Sequence, residues 1–164
     1  MNGPKELYQK LENLNIPFDY YEHPAAPTIE IAMKYWEDIE ATHCKNLFFR
    51  NHKGDKHYLV VLDHRYILDI HDLEKRLKQG KLSFASESRM MKYLGIMPGS
   101  VSPLCLINDS SNHVHVFFDE NLQNATRISF HPAINNASIV LKYTDFIKFM
   151  YNTGNSFEFI KLYE

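Results

Sequence analysis

Two segments rich in β-branched and aromatic residues, joined by a short turn, constrain the fold of this chain more than any other feature. The first segment is KNLFFR, residues 45–50, and the second is HYLVVLD, residues 57–63. The turn between them contains Gly54. Apolar flanks around a glycine-containing turn are typical of a β-hairpin. The sequence therefore predicts two adjacent antiparallel strands inside a sheet.

Helical and extended patterns are mixed irregularly along the rest of the chain. Thr28 stands where it can cap the second helix, and Gly80 and Gly95 follow helical segments where a left-handed residue is favoured. The mixture lacks strict βαβ alternation, which indicates an α+β fold around a mostly antiparallel or mixed sheet. The predicted helices cover residues 5–14, 28–39, 69–79, 86–95 and 144–154, and the further extended segments cover residues 18–22, 82–86, 102–107, 113–119, 126–130, 137–141 and 157–162.

Length and composition bound the class of protein. A chain of 164 residues, 45% hydrophobic and 23% charged, is expected to form one domain, residues 1–164, because no linker or repeat interrupts it. Cys44 and Cys105 are too few for a disulfide framework, and no apolar run resembles a signal peptide or reaches the roughly 20 residues of a membrane span. We expect a cytoplasmic protein with no membrane partner.

The net charge of −2 argues against a protein that wraps DNA or a long RNA backbone, because such binding depends on clustered Lys and Arg residues. Any RNA contact should therefore be local.

Nucleophile and metal sites are weakly supported by the sequence. Cys44 lies next to Lys45, but such a cysteine is usually an ordinary packed residue. No G-x-S-x-G motif is present. His113 and His115 alternate onto one strand face, yet two ligands do not make a zinc site. We therefore expect no metal and no cofactor.

Two segments carry unusual loop chemistry. In GIMPGSVSP, residues 95–103, two glycines and two prolines force sharp turns, so backbone N–H groups at residues 99–102 could point outward together and hold an adenine, ribose or phosphate. A tight helix-to-strand connection explains the same residues. In FHPAIN, residues 130–135, His131 ends a strand and Asn135 follows on a loop. Taken alone, a structural role is open for each.

Seven segments occur in an order that resembles the YbaK/ProX family of prolyl-tRNA editing domains, and most closely its free-standing alanine-specific branch, called ProXp-ala or PrdX-like. The match spans residues 18–150. The family resemblance implies a single α+β domain with a curved, barrel-like mixed sheet flanked by helices. The segments are HPAAPTIE, KNLFFR, HYLVVLD, LSFAS, GIMPGSVSP, LIND and FHPAINNAS.

The resemblance also implies an activity and a set of residues. The expected activity is hydrolysis in trans of the ester of mischarged Ala-tRNA(Pro), with the aminoacylated 3′ end of tRNA(Pro) as partner and delivery by prolyl-tRNA synthetase or an elongation factor left open. Lys45 is expected to contact the terminal phosphate, and His131 belongs to the F-H-P motif. These two are the expected catalytic residues. The expected substrate-binding residues are Thr28, Asn46, Gly99, Ser100, Val101, Ser102, Pro103 and Asn135.

Two departures from the family pattern bear on specificity. Asn136 stands where relatives often carry threonine, and Ser129 stands where many carry asparagine. A deacylase for Cys-tRNA(Pro), from another branch of the family, is therefore the first alternative. A catalytically silent module that binds aminoacyl-tRNA ends or regulates a partner is the second. Four apolar residues are candidates for walls that exclude proline: Ile29, Leu47, Phe130 and Ile134.

Overall fold

The described part of the chain, residues 1–163 of a computed structural model, contains five α-helices and eight strands. The helices are α1 (Lys5–Asn13), α2 (Ile29–Trp36), α3 (Ile70–Leu77), α4 (Glu87–Leu94) and α5 (Tyr143–Thr153). The strands are β1 (Asp19–Glu22), β2 (Thr42–Asn51), β3 (His57–Asp63), β4 (Leu82–Phe84), β5 (His115–Asp119), β6 (Arg127–Phe130), β7 (Ala137–Lys142) and β8 (Phe157–Ile160). Two 3-10 helices, Pro103–Asn108 and Glu120–Asn124, complete the regular structure of this part.

The predicted hairpin lies in the middle of the sheet. The strand order is β1-β7-β6-β2-β3-β5-β8, and β4 pairs with β2 outside this path. Strand β3 pairs antiparallel with β2, with Lys45 opposite Leu62, and parallel with β5. All seven residues of β3 are buried, as expected for a strand with neighbours on both edges. The α+β class and the mixed sheet flanked by helices are confirmed.

The outer edge of β2, opposite β3, is paired only at its two ends. Near its start Thr42 and His43 pair in parallel with β6, and near its end residues 49–51 pair antiparallel with β4. Between these contacts, residues 44–47 have no strand on that edge within the described chain. We call this interval the β2 gap. It leaves an opening in the sheet between the end of β6 and the end of β4.

Two apolar clusters cover opposite faces of the hairpin. The larger contains Cys44 and Phe48 together with side chains from α1, α5 and the 3-10 helix Pro103–Asn108. The smaller contains Phe49 and Leu62 and is covered by α3. This alternation follows from the two-residue side-chain period of a strand. Among residues 1–163, each helix is too short or too polar to serve as a transmembrane span.

Helix caps agree with the sequence at most ends. The Thr28 hydroxyl accepts a hydrogen bond from the Ile31 amide at 3.4 Å, and Ser86 caps α4 in the same way. Gly95 ends α4 in the left-handed conformation, as predicted. The prediction for α3 is wrong in detail: its left-handed terminal residue is Lys78, and Gly80 lies two residues further on.

The strand predicted over residues 102–107 is wrong. This segment is the 3-10 helix Pro103–Asn108, because Ser102 accepts a hydrogen bond from the Leu104 amide at 3.2 Å and Pro103 occupies the first helical turn. Serine before a proline is a favoured way to begin a helix, and short apolar runs do not by themselves distinguish a strand from a helix.

Candidate functional site

A cavity of about 240 Å³ opens at the β2 gap. Strand β2 contributes one wall, and the first turn of α2 with the preceding residues contributes another. The loop at Gly99, the end of β6 and the end of β4 complete it. The lining residues are Ala26, Pro27, Thr28, Ile29, Ala32, Trp36, Cys44, Asn46, Leu47, Phe48, Phe84, Met90, Gly99, Val101 and His131.

Five of the residues proposed from the sequence line this one cavity. They come from four separate parts of the chain, which the fold brings together around the β2 gap. Thr28 and Asn46 face it from α2 and β2, Gly99 and Val101 from the loop, and His131 from the end of β6. The cavity is therefore the site to which the sequence motifs converge.

The other five proposed residues lie outside the lining. The Lys45 ammonium group donates a hydrogen bond to the Tyr66 carbonyl at 2.7 Å. Ser102 and Pro103 are buried behind the loop. Ser100 and Asn135 line a neighbouring depression that also includes Met91 and Met97.

Gly99 lies against the backbone of Pro27. Its φ is +88°, and a Cβ built on it would stand 2.9 Å from the Pro27 carbonyl oxygen and 3.0 Å from the Pro27 Cα. Only glycine combines this conformation with this contact without strain. Gly99 thus holds the loop directly against the residue that precedes Thr28.

The His131 ring is oriented by a hydrogen bond to the backbone of β7. Its Nδ1 lies 2.8 Å from the Ala137 carbonyl oxygen, so Nδ1 carries the hydrogen and Nε2 is left as an acceptor. Burial lowers the pKa of His131, the hydrogen bond to Ala137 raises it, and nearby His23 lowers it further, with a net decrease. The ring is therefore neutral at neutral pH.

Ser102 connects the two loop motifs. Its hydroxyl donates a hydrogen bond to the His131 carbonyl oxygen at 2.7 Å while it caps the following 3-10 helix. The amide of Ser100 donates to the Met97 carbonyl at 3.2 Å. The expectation that every amide of residues 99–102 points outward is therefore wrong, because the Ser100 amide closes a turn. The loop's buried serines fix its shape and its position beside His131.

Two lining residues each carry a buried polar side-chain atom that has no hydrogen-bond partner in the described part of the chain. The Trp36 indole Nε1 and the Asn46 side-chain Oδ1 are buried, and within residues 1–163 neither has a hydrogen-bond partner. Both residues line the cavity. Buried polar groups are rarely left unpaired, so these two atoms stand out among the residues around the cavity.

The cysteine and the histidines considered from the sequence lie in different environments. Cys44 lines the cavity wall, but burial and the nearby Asp63 carboxylate raise the pKa of its thiol well above the ordinary value. It is therefore a poor nucleophile.

The histidines considered as metal ligands contact other side chains. His113 Nε2 lies 2.8 Å from His57 Nδ1, and the two ring nitrogens of His115 contact the Ser156 hydroxyl and the Glu158 carboxylate. The described residues contain no group of three or more side chains suited to hold a metal ion.

Several lining residues were not identified from sequence. Phe84, Met90 and Trp36 line the cavity and were not among the proposed residues. Ile29 and Leu47, two of the four proposed wall residues, also line it. Phe130 is instead in the core, and Ile134 lines the neighbouring depression. Phe84 lies within LSFAS, but its exposure at the cavity depends on strand pairing that no local pattern reveals.

Comparison with known proteins identifies the family of the chain. A family model described as an aminoacyl-tRNA editing domain matches residues 23–149. The chain is 40% identical to the prolyl-tRNA editing protein ProX of Acetoanaerobium sticklandii over 99% of both chains. It is 33% identical to prolyl-tRNA synthetase associated domain-containing protein 1 of Bos taurus, over 91% of this chain and 89% of the other.

A solved structure shows the same fold. The crystal structure of hypothetical protein APE2540 aligns with a TM-score of 0.71 and 15% identity, over 95% of this chain and 99% of that one. The fold, the converging motifs and the matched residues agree, and the chain belongs to the aminoacyl-tRNA editing domain family, the YbaK/ProX family that its motifs resemble.

Proposed function

We propose that this chain is a trans-editing deacylase that hydrolyses mischarged Ala-tRNA(Pro). Family membership supports an editing activity on prolyl-tRNA. The observation that carries the proposal is the convergence of Thr28, Asn46, Gly99, Val101 and His131 on one small cavity. The proposed substrate group is the alanyl ester at the 3′ end of the tRNA.

The chemistry requires little from the protein beyond positioning. An aminoacyl ester is already activated, so a held water and donors for the developing oxyanion are sufficient. The neutral His131 ring, fixed through Nδ1, offers Nε2 as an acceptor for a water or a substrate hydroxyl. In this proposal His131 positions the reacting groups, and no covalent intermediate forms.

The loop and Lys45 are proposed to hold the nucleotide. Gly99 and Val101 contact the terminal adenosine from the cavity side, while Ser100, Ser102 and Pro103 keep the loop in shape. Lys45 lies on β2 beside Asn46 and reaches the terminal phosphate after releasing the Tyr66 carbonyl. Asn135 acts through its backbone, because its carbonyl accepts a hydrogen bond from the amide of the lining residue Ala26 at 2.9 Å.

Cavity size is proposed to set the choice of amino acid. A synthetase pocket sized for proline rejects alanine poorly, since a missing methylene changes binding by only about 1–3 kcal/mol. A second, smaller site completes the selection. Ile29 and Leu47 line the cavity, and in this proposal they restrict its width so that a methyl group enters and a pyrrolidine ring does not.

A panel of charged tRNAs tests the proposal. The protein is incubated with Ala-, Cys-, Ser- and Pro-tRNA(Pro), and single-turnover hydrolysis of each is measured. We expect Ala-tRNA(Pro) to be hydrolysed fastest and Pro-tRNA(Pro) to persist. Faster hydrolysis of Cys-tRNA(Pro) would assign the chain to the cysteine-specific activity, and absence of turnover on all four would reject deacylation.

A further inference from the structure

Phe84 is exposed at the mouth of the cavity. Its relative exposure is 62%, and among the exposed large apolar side chains of residues 1–163 it alone lines the cavity. Single exposed apolar residues are common on proteins. An exposed aromatic ring on the rim of a ligand cavity is different, because a bound ligand can cover it.

The ring stacks on a buried ring of the neighbouring strand β2. Phe84 ends β4 and pairs with Phe49 of β2. The two rings stack with centroids 4.7 Å apart and planes at 28°, and Phe49 is 2% exposed. One face of Phe84 therefore rests on the buried core cluster of α3, and its high exposure leaves the opposite face in solvent.

The free face has the properties of a base-binding platform. A rigid aromatic ring loses little conformational entropy when a flat ligand stacks on it, and base–aromatic stacking works for any nucleobase because every base presents a π-face. The cavity below has room for the ester, and the Gly99 loop lies on another wall. The ring therefore stands where a base attached to the esterified ribose can reach.

We propose that Phe84 binds the terminal nucleobase of the substrate by stacking, as a subsite separate from the loop. The proposal rests on the deacylase function proposed above and extends it. It assigns the ribose and ester to the Gly99 side and the purine ring to Phe84. The ligand class is a purine nucleoside carrying an acyl ester.

Three substitutions separate stacking from simple apolar contact. We expect Phe84→Ala and Phe84→Leu to lower kcat/KM for Ala-tRNA(Pro) by on the order of tenfold to a hundredfold, mainly through KM, and Phe84→Trp to retain it. Tyr151→Ala is the matched control, since Tyr151 is 74% exposed on α5 away from the cavity lining. It should leave kcat/KM unchanged.

A binding measurement keeps the inference testable if hydrolysis is absent. In Phe84→Trp, titration with adenosine 5′-monophosphate should quench the fluorescence of the new indole, after subtraction of the wild-type signal from Trp36. Thermal melts confirm that the variants fold. Wild-type kcat/KM in Phe84→Ala, full activity in Phe84→Leu, or no quenching in Phe84→Trp would each overturn the stacking subsite.

Discussion

Gly99 lies directly against Pro27, with 2.9 Å between the position that a Cβ would take on Gly99 and the Pro27 carbonyl oxygen. This contact joins the loop to the start of α2 and sets the distance between two walls of the cavity. Gly80 offers a comparison, because its φ is +78° and nothing lies within 4 Å of its Cβ position. The two glycines share the conformation and differ in the contact.

Gly99→Ala should therefore destabilise the protein more than Gly80→Ala. We expect Gly80→Ala to lower the free energy of unfolding by about 1–2 kcal/mol, the cost of a left-handed alanine. Gly99→Ala should cost about 2–5 kcal/mol, because displacement of the Pro27 backbone adds about 1–3 kcal/mol. Urea denaturation measures both. Equal losses would mean that the Pro27 contact relaxes freely.

Lys45→Met should impair deacylation while the fold persists. The substitution keeps an apolar stem and removes the charge proposed to meet the phosphate. A hydrogen bond to a charged group contributes about 1.5–3 kcal/mol, so single-turnover hydrolysis of Ala-tRNA(Pro) should fall by roughly 10- to 150-fold. Lys56→Met, at the exposed end of the hairpin turn, is the control and should hydrolyse normally. An unchanged rate in Lys45→Met would remove Lys45 from the site.

The rate of hydrolysis should decrease in acid through the titration of His131. Burial keeps the pKa of this imidazole below the ordinary 6.5, so the neutral ring is the competent form above that pKa and is lost as pH falls through it. We expect kcat/KM to decline with a midpoint below pH 6.5. In His131→Asn the rate should be low throughout and this acid limb should be absent.

His23 provides the control for this assignment. Its ring centroid lies 6.0 Å from that of His131, and its charge lowers the pKa of His131. His23→Asn should therefore move the acid limb to higher pH. An acid limb with the same midpoint in wild type and His131→Asn would assign it to another group.

Conformational stability should also decrease in acid, through His57. This ring is 1% exposed. Its Nε2 lies 2.9 Å from an Arg89 nitrogen and its Nδ1 lies 2.8 Å from His113 Nε2. Burial, with the nearby His113 and Arg89 charges, lowers the pKa of His57 from 6.5 to about 4.

The direction of this change in stability with pH follows from proton binding. Between pH 6.5 and about 4 the unfolded chain binds a proton at His57 that the folded protein does not, so the free energy of unfolding is highest above pH 6.5 and falls across this interval. The contribution is about 1–3 kcal/mol. Urea denaturation at several pH values gives the free energy of unfolding at each pH. This free energy should fall less steeply with decreasing pH in His57→Gln than in wild type. The control is His52→Gln, at an exposed position, which should keep the wild-type dependence of the free energy of unfolding on pH. A wild-type dependence in His57→Gln would contradict the assignment.

The parts of the fold that the sequence predicted well are those with strong local signals. The strand His57–Asp63 matches its predicted limits because both faces are buried and every position is apolar or flanking. The segment at residues 102–107 was predicted wrongly because LCLI suits a buried strand as well as a helix. The serine and proline before it were the decisive signals.

The same distinction between local and tertiary signals applies to the residues of the site. Gly99 and His131 were identified from motifs, because glycine at a sharp turn and histidine at a strand end are visible in one segment. Phe84 was not, because its role depends on a short strand that pairs with β2 and leaves the ring over the opening. Lys45 and Asn46 are neighbours in sequence, yet only Asn46 lines the cavity. The Lys45 side chain instead reaches the Tyr66 carbonyl, a contact 21 residues along the chain that no local pattern reveals.

The β2 gap arises from the backbone, because β4 and β6 are too short to meet along the edge of β2. The length of the opening is therefore set by how many residues of each flanking strand pair with β2. In the proposed deacylase, replacing side chains around the gap can change which acyl group is admitted without closing the gap. Extending either flanking strand along β2 would narrow it, and only pairing along residues 44–47 would close it, however well the interior chemistry were preserved.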